Sequence, residues 1–374
     1  MAKAEPGGPS RVTVSTTGGQ YDILIGAGLF SRLAVLSRKH CEEHRYAIVA
    51  DDRVADLYGA RAVRGFEEAG AGASLFTFRA GEANKNRATW ADLTDRMLAA
   101  GMGRDTGVIA LGGGVTGDLA GFVAATYMRG LPVVQVPTTL LAMIDSSVGG
   151  KTGVDTAAGK NLVGAFLQPR LVLADPEVLA TLPVAEVRAG LAEAIKHGAI
   201  ADEAYFDWIS GSLSALLAGD VEVLSRLIRR SVEIKAEVVG RDEREAGPRK
   251  MLNFGHTFGH AVEALSGFRL LHGEAIAIGM AIEARLGERL GITAAGTADR
   301  LARVLSAAGL PTRLPTGMEP RAVVEATRSD KKARGGRVEY ALLERIGAAS
   351  AGPDGRWGWG VEDGEATDIL NLEC

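Results

Sequence analysis

Short apolar runs alternate with helical periodicity along the first half of the chain. Residues 46–50, 74–78, 107–111 and 132–136 are the runs, each bounded by polar, glycine or proline positions. They read as buried strands. Before them, 11–15 and 21–25 alternate apolar and polar residues around Gly18-Gly19, which predicts a strand pair. Helical patterns separate several of the runs, as at 90–100. Strand and helix in alternation predict a parallel sheet with helices on its faces. Near Pro183 the pattern changes. Long amphipathic stretches follow at 184–200, 220–239, 251–265, 273–290 and 298–308. The expectation is an α/β domain over 1–183 and a mostly helical domain over 184–374, with a cleft between them as the ligand site. Residues 1–10 read as a loose tail. The stretch 350–364, rich in Gly, Asp and Trp, receives no role, and no internal repeat is found.

Composition narrows the function. A chain of 374 residues with 47% apolar content can bury a sizeable core. Aromatic residues are 5% and the net charge is −4, which argues against a base-stacking or phosphate-tracking nucleic-acid surface. The nearest basic run is Asp330-Lys331-Lys332-Ala333-Arg334. Attraction of an anionic small molecule must therefore come from local cations. The first eleven residues contain no apolar signal core, and no apolar run would span a bilayer. Cys41 and Cys374 have no metal or disulfide spacing. These features predict a cytoplasmic protein with neither nucleic acid nor membrane as partner.

Three stretches carry candidate chemistry. Leu111-Gly112-Gly113-Gly114-Val115-Thr116-Gly117-Asp118 joins an expected strand to an expected helix. Glycines there permit a sharp turn and close ligand approach, and the amides at the helix start can hold a pyrophosphate. Asp51, at the end of an earlier strand, could accept from ribose hydroxyls or stand as an ordinary loop carboxylate. Gly149-Gly150-Lys151-Thr152 resembles the end of a Walker A loop, but Asp145 stands where that loop needs its first glycine. Lys151 and Lys160 in this glycine-rich stretch still make a plausible anion pocket.

The third stretch lies in the helical half, which holds His197, His256, His260 and His272 of the six histidines. His256 and His260 share a helical face at i and i+4. Glu193, Lys196 and His197 share another, and Glu193 interrupts an otherwise apolar stretch. A buried carboxylate needs a partner, and a metal would serve. Two imidazoles plus one carboxylate, with positions left open, form a catalytic zinc arrangement. Spacing leaves open which two histidines take part.

The runs GGGVTGDLAGFVAATYMRG (112–130), VPTTLLAMIDSSVGGKTGVD (136–155), AGKNLVGAF (158–166), RAGLAEAIKHG (188–198), LNFGHTFGHAVE (252–263) and HGEAIAIGM (272–280) together resemble the 3-dehydroquinate synthase family, over about residues 21–347. The resemblance implies a Rossmann-like α/β N-terminal domain, an all-α C-terminal domain and a homodimer. It implies bound NAD and one divalent metal, zinc most often, with cobalt an alternative. The implied reaction converts 3-deoxy-D-arabino-heptulosonate 7-phosphate to 3-dehydroquinate and phosphate, in the shikimate pathway. Its steps are transient oxidation by NAD, phosphate elimination, re-reduction, ring opening and intramolecular aldol closure.

Carried over by position, the implied metal ligands are Glu193, His256 and His272, with His260 beside them as proton relay. NAD contacts would be Asp51, Glu82, Lys85, Gly114, Val115, Thr116, Gly117, Asp118, Thr138, Thr139 and Thr181, with Lys151 and Lys160 nearby. Substrate contacts would be Asp145, Lys151, Lys160, Asn161, Lys196, Lys235, Arg249, Asn253 and His260. Arg129 would reach the phosphate across a dimer, and either Lys331 or Lys332 would complete its pocket. The competing readings are another sugar-phosphate cyclase of the same fold and an NAD- and metal-dependent polyol dehydrogenase. The resemblance favours the implied reaction over the other cyclases, several of which replace the residues matching His260 or Arg249, whereas a polyol dehydrogenase would release NADH.

Overall fold

The run around Val108 and Ile109 becomes a strand buried along its whole length, Thr106–Gly112, near the middle of a seven-stranded sheet. The structure is a computed structural model and describes residues 8–328, 333–334, 337–352, 355 and 357–371. The chain divides into two units, Met1–Leu182 with Leu224–Ala236, and Pro183–Val223 with Glu237–Cys374.

In the first unit the strands are β1 (Ser10–Thr16), β2 (Gly19–Ile25), β3 (Arg45–Asp51), β4 (Gly72–Phe78), β5 (Thr106–Gly112), β6 (Val133–Pro137), β7 (Lys151–Thr156), β8 (Gly159–Phe166) and β9 (Leu171–Ala174). The large sheet runs β1-β2-β9-β6-β5-β3-β4. Only the β1–β2 pair within it is antiparallel, and the other pairs are parallel. Helices α1 (Leu33–His40), α2 (Ala60–Glu68), α3 (Arg87–Ala99) and α4 (Gly114–Thr126) fill the crossovers. Burial on both faces removes alternation from the central strands, which is why they read as continuous apolar runs. Val49, Phe76, Val108 and Val133 of the sheet pack with Leu93 and Met97 of α3 and Leu119 and Val123 of α4. Each such fully buried side chain contributes roughly 1.5–3 kcal/mol.

The glycine-rich stretch around Lys151 and Lys160 forms the hairpin β7–β8 and is not a loop. In the hairpin, Gly153 faces Gly164, and a Cβ on Gly164 would meet Thr152 O at 2.1 Å. Polar and glycine positions in both strands conceal the period of two. Lys151, Lys160 and Asn161 therefore stand on paired strands.

The second unit carries α5 (Val184–Ala201), α6 (Glu203–Leu217), the ends of α7 (Val221–Arg241), α8 (His256–Leu265), α9 (His272–Arg289), α10 (Thr297–Ala307), α11 (Pro320–Thr327) and α12 (Asp363–Asn371). Acidic N-caps start α6, a helix absent from the stretches expected from the sequence, and α7. Asp202 accepts from Tyr205 N–H at 3.0 Å, and Asp220 from Glu222 and Val223 N–H. Phe258 and Val262 of α8 pack with Ile278 and Ile282 of α9, Val323 of α11 and Ile369 of α12. Short strands accompany the helices. Arg337–Tyr340 pairs with Trp359–Val361, and Leu343–Arg345 with Ala348–Ala349. The stretch 350–364 thus contributes a strand, and Trp359 Nε1 donates to Ser350 Oγ at 3.1 Å. Among the described residues no helix is long and apolar enough to cross a membrane.

Candidate functional site

In the first unit, β5 ends at Gly112 and α4 starts at Gly114, with Gly113 extended at the cap and no side chain bonding the first turn. The first-turn N–H groups stay available to an anion. Close packing requires these glycines. A Cβ on Gly112 would meet Thr116 Oγ1 at 2.4 Å, and one on Gly114 would meet Ser146 Oγ at 3.1 Å. Asp51 comes to this turn. One of its oxygens caps Val54 N–H at 3.0 Å, and the other accepts from Thr116 Oγ1 at 3.3 Å. Thr138 joins it through its N–H to Gly112 O at 2.9 Å.

Beside the turn lies a charge cluster. Lys85 Nζ is 2.8 Å from Glu82 Oε1, 3.3 Å from Asp118 Oδ2 and 3.7 Å from Asp155 Oδ1. Lys160 Nζ lies 3.7 Å from Glu82 Oε1. Burial alone would lower the Lys85 pKa, but Asp118 and Glu82 outweigh it and raise it. Burial pushes the Asp118 carboxyl up to about 6 against the opposing pull of Lys85. Glu82, Lys85, Asp118 and Lys160 thus lie in one cluster. Asp155, not singled out from the sequence, joins them, and its Oδ1 also accepts the Asn161 N–H at 2.8 Å. Lys235 and Asp145 form a separate pair, Nζ to Oδ1 at 2.5 Å. Thr181 Oγ1 instead lies 2.8 Å from the Tyr58 hydroxyl, and Thr139 Oγ1 accepts from Ala142 N–H. Lys151 is exposed. Arg129 is exposed on a turn where it and Met128 both take positive φ, 71° and 51°. Lys331 and Lys332 lie outside the described residues.

In the second unit, Glu193 is 0% exposed and Lys196 1%. The two form an ion pair at i and i+3. Apart from that ammonium, neither Glu193 oxygen has a donor within hydrogen-bond distance among the described residues. His256 Nε2 and His272 Nε2 lie 3.7 and 3.8 Å from the same oxygen, Glu193 Oε1. Donors bound to a tetrahedral ion at about 2.0–2.2 Å sit roughly 3.3–3.6 Å apart, so this trio fits a divalent ion after small adjustments. The opposite ring nitrogens are held in place. His272 Nδ1 is 3.3 Å from Glu263 Oε2, and His256 Nδ1 is 3.2 Å from Phe254 O. An N–H at each Nδ1 leaves the Nε2 lone pair for a metal. Burial would lower the His272 pKa, but hydrogen bonding and charge from Glu263, aided by Glu193, raise it. His260 is close by, with donor atoms of His256, His260 and His272 all within 4.8 Å of one another.

Glycine packing makes this convergence possible. A Cβ on Gly273 would meet Ala189 O at 2.1 Å, so α9 starts directly against α5, the helix of Glu193. Gly273→Ala is expected to cost about 1–3 kcal/mol by overpacking, read as a lower thermal midpoint. An unchanged midpoint would mean that α5 and α9 can part without penalty.

Arg249 and Asn253 of this unit follow an ordered turn. Asp242 accepts N–H groups of Ala246, Gly247 and Arg249 at 3.0, 2.7 and 3.1 Å. Burial would raise its pKa, and these bonds lower it. The turn presents buried Arg249, whose Nη1 donates to Glu243 O, and Asn253, whose Nδ2 donates to Glu245 Oε1 at 2.5 Å. Glu245, Glu263 and Asp242 were not read from the sequence as site residues.

Two family descriptions match the chain, 3-dehydroquinate synthase N-terminal at residues 75–189 and 3-dehydroquinate synthase C-terminal at 190–333. It is 49% identical to the 3-dehydroquinate synthase of Symbiobacterium thermophilum, over 91% of this chain and 97% of that one. A crystal structure of 2-deoxy-scyllo-inosose synthase with carbaglucose-6-phosphate, NAD+ and Co2+ is 26% identical with a TM-score of 0.90, covering 98% of this chain and 100% of that one. The 2-epi-5-epi-valiolone synthase of Streptomyces hygroscopicus, with NAD+ and Zn2+ bound, is 30% identical with a TM-score of 0.83, over 94% and 96%.

Proposed function

The chain belongs to the 3-dehydroquinate synthase family, and from that premise we propose that Glu193, His256 and His272 hold its divalent metal, with zinc as the ion. The enzyme converts 3-deoxy-D-arabino-heptulosonate 7-phosphate to 3-dehydroquinate and phosphate. It works with NAD and a divalent metal. The single observation supporting the ligand assignment is the buried Glu193 carboxylate, which has the Lys196 ammonium as its ion-pair partner and two imidazole Nε2 atoms beside its other oxygen.

When bound, the metal supplies Lewis acidity that lowers the pKa of a sugar hydroxyl. NAD supplies a hydride acceptor that is restored within each cycle. The protein's own side chains do the rest. His260 takes up the hydroxyl proton, directly or through water. Arg249, buried and fork-shaped, suits the substrate carboxylate, with Asn253 and Lys196 placed for hydroxyls. In the first unit, Lys151, Lys160 and Asn161 hold phosphate, and Lys235 with Asp145 holds a hydroxyl. The departing phosphate itself takes the proton of the adjacent acidified carbon, so the protein mainly fixes one conformer. Asp51, Glu82, Lys85, Asp118, Thr138, Thr139 and Thr181, with the 114–117 turn, are assigned to NAD. The same reading includes a cytoplasmic homodimer, with Arg129 serving a neighbouring subunit's phosphate.

Protein stripped of NAD is expected to release phosphate only at background rate and to recover on addition of catalytic NAD. Phosphate and the cyclic product are followed together by NMR. Unchanged phosphate release without NAD would refute the transient-oxidation step. Net accumulation of NADH with no cyclic product would support the polyol dehydrogenase reading instead.

A further inference from the structure

Helix α8, which carries His256 and His260, begins without a cap of its own. Its cap position is Gly255, left-handed at φ 81° and ψ −13°, with no side chain to bond the first turn. No other residue fits there, because a Cβ would meet Met280 Cγ at 2.4 Å and Ile276 O at 2.9 Å. Orphan N–H groups at a buried helix start still need acceptors. A single side chain provides them. Glu283 of α9, 0% exposed, accepts the Gly255 N–H at 2.6 Å on one carboxylate oxygen. Its other oxygen accepts the Thr257 N–H at 3.1 Å and the Phe258 N–H at 3.3 Å.

These three donors flank His256. The His256 ring is tied in turn to Phe254 O, one residue before the first of them. Its orientation therefore follows the backbone that Glu283 holds. Packing places Glu283 for this task. A Cβ on Gly279 would meet Gly255 O at 1.9 Å, and Glu283 lies four residues on, along the same face of α9. A buried charge is a poor device for stability alone, since apolar packing often serves as well. Its negative charge does suit the positive end of a helix.

We propose that Glu283 is a positioning residue of the metal centre, anchoring the first turn of α8 so that His256 offers Nε2 to the ion. The proposal rests on the reading of Glu193, His256 and His272 as ligands.

The test uses full-length protein freed of metal by chelation, then titrated with zinc(II) against a chromophoric chelator. Glu283→Gln keeps the volume but has one accepting oxygen, and Glu283→Asp keeps the charge but is shorter. Each is expected to weaken zinc binding roughly 10–100-fold, the usual effect of removing a group that orients a ligand. Each should also alter the visible spectrum of the cobalt(II)-loaded protein, while NAD affinity stays that of wild type. A folded variant of either kind with wild-type zinc affinity and cobalt spectrum overturns the proposal, even if its thermal midpoint is lower. Wild-type protein that binds no zinc would instead defeat the ligand assignment, so the two failures are distinguishable.

Discussion

Glu193→Gln is expected to yield a folded protein that retains no metal through dialysis and turns over roughly a thousandfold more slowly. Glutamine matches the shape of the glutamate it replaces, so α5 keeps its packing. The change is electrical. A neutral amide oxygen is a weak ligand for a divalent ion, and Lys196, against which the carboxylate sits, loses its counter-charge. Metal polarisation of a reacting oxygen is worth several kcal/mol in the transition state, and about 1.4 kcal/mol is a factor of ten. His256 and His272 remain, but two imidazoles alone hold zinc poorly. Elemental analysis of the dialysed variant checks the first half of this expectation, and phosphate release checks the second. One equivalent of metal per chain in Glu193→Gln, or in His272→Ala, would remove the ligand assignment.

Lys85→Met should strongly destabilise the first unit. One ammonium there faces Glu82, Asp118 and Asp155, and it is almost completely buried. Removing it leaves three carboxylates near one another with Lys160, 3.7 Å from Glu82, as the remaining cation in contact. Breaking a buried ion pair costs about 3–5 kcal/mol, which corresponds to a fall of roughly 10 °C in thermal midpoint for a unit of this size. The loss should depend on pH in a definite direction. Asp118 already stands at about 6 through burial, and without Lys85 its folded pKa rises further above the unfolded value. The folded form then binds the proton more tightly than the unfolded one, so stability rises as pH falls through the folded pKa. Wild type carries the same Asp118 dependence at its lower folded pKa of about 6, whereas Glu82, whose folded pKa is lowered despite burial by Lys85 and Lys160, acts only below the ordinary carboxylate range. The gap between variant and wild type should therefore narrow from about pH 8 to about pH 5. A calorimetric midpoint within about 2 °C of wild type at the higher pH would show that the cluster does not depend on its lysine.

The site was legible in the sequence wherever a residue type betrayed its surroundings. Glu193 stood out as a carboxylate inside an apolar stretch, and the structure buries it completely. The same signal surrounds Glu283, within Ala275-Ile276-Ala277-Ile278-Gly279-Met280-Ala281-Ile282 and Ala284, and could have found it. Asp155, Asp242 and Glu245 gave no such sign. Asp242 and Glu245 lie in a charged stretch and Asp155 among small residues, where a carboxylate is ordinary until its partners are known.

Pattern alone determined the parallel strands β3 to β6 and most of the long helices, because burial imposes a period that composition records directly, but it missed α6 and ran 251–265 together across the left-handed Gly255. It determined that His256 and His260 share a face, since that relation is local to one helix. Packing decided the rest. Glu193, His256 and His272 come from three helices, and they meet because Gly273 and Gly279 let those helices approach to backbone distance. The hairpin of Lys151 and Asn161 likewise exists only through its cross-strand partners. Contacts between residues far apart in the chain leave no period in it, so the tertiary fold alone specifies them.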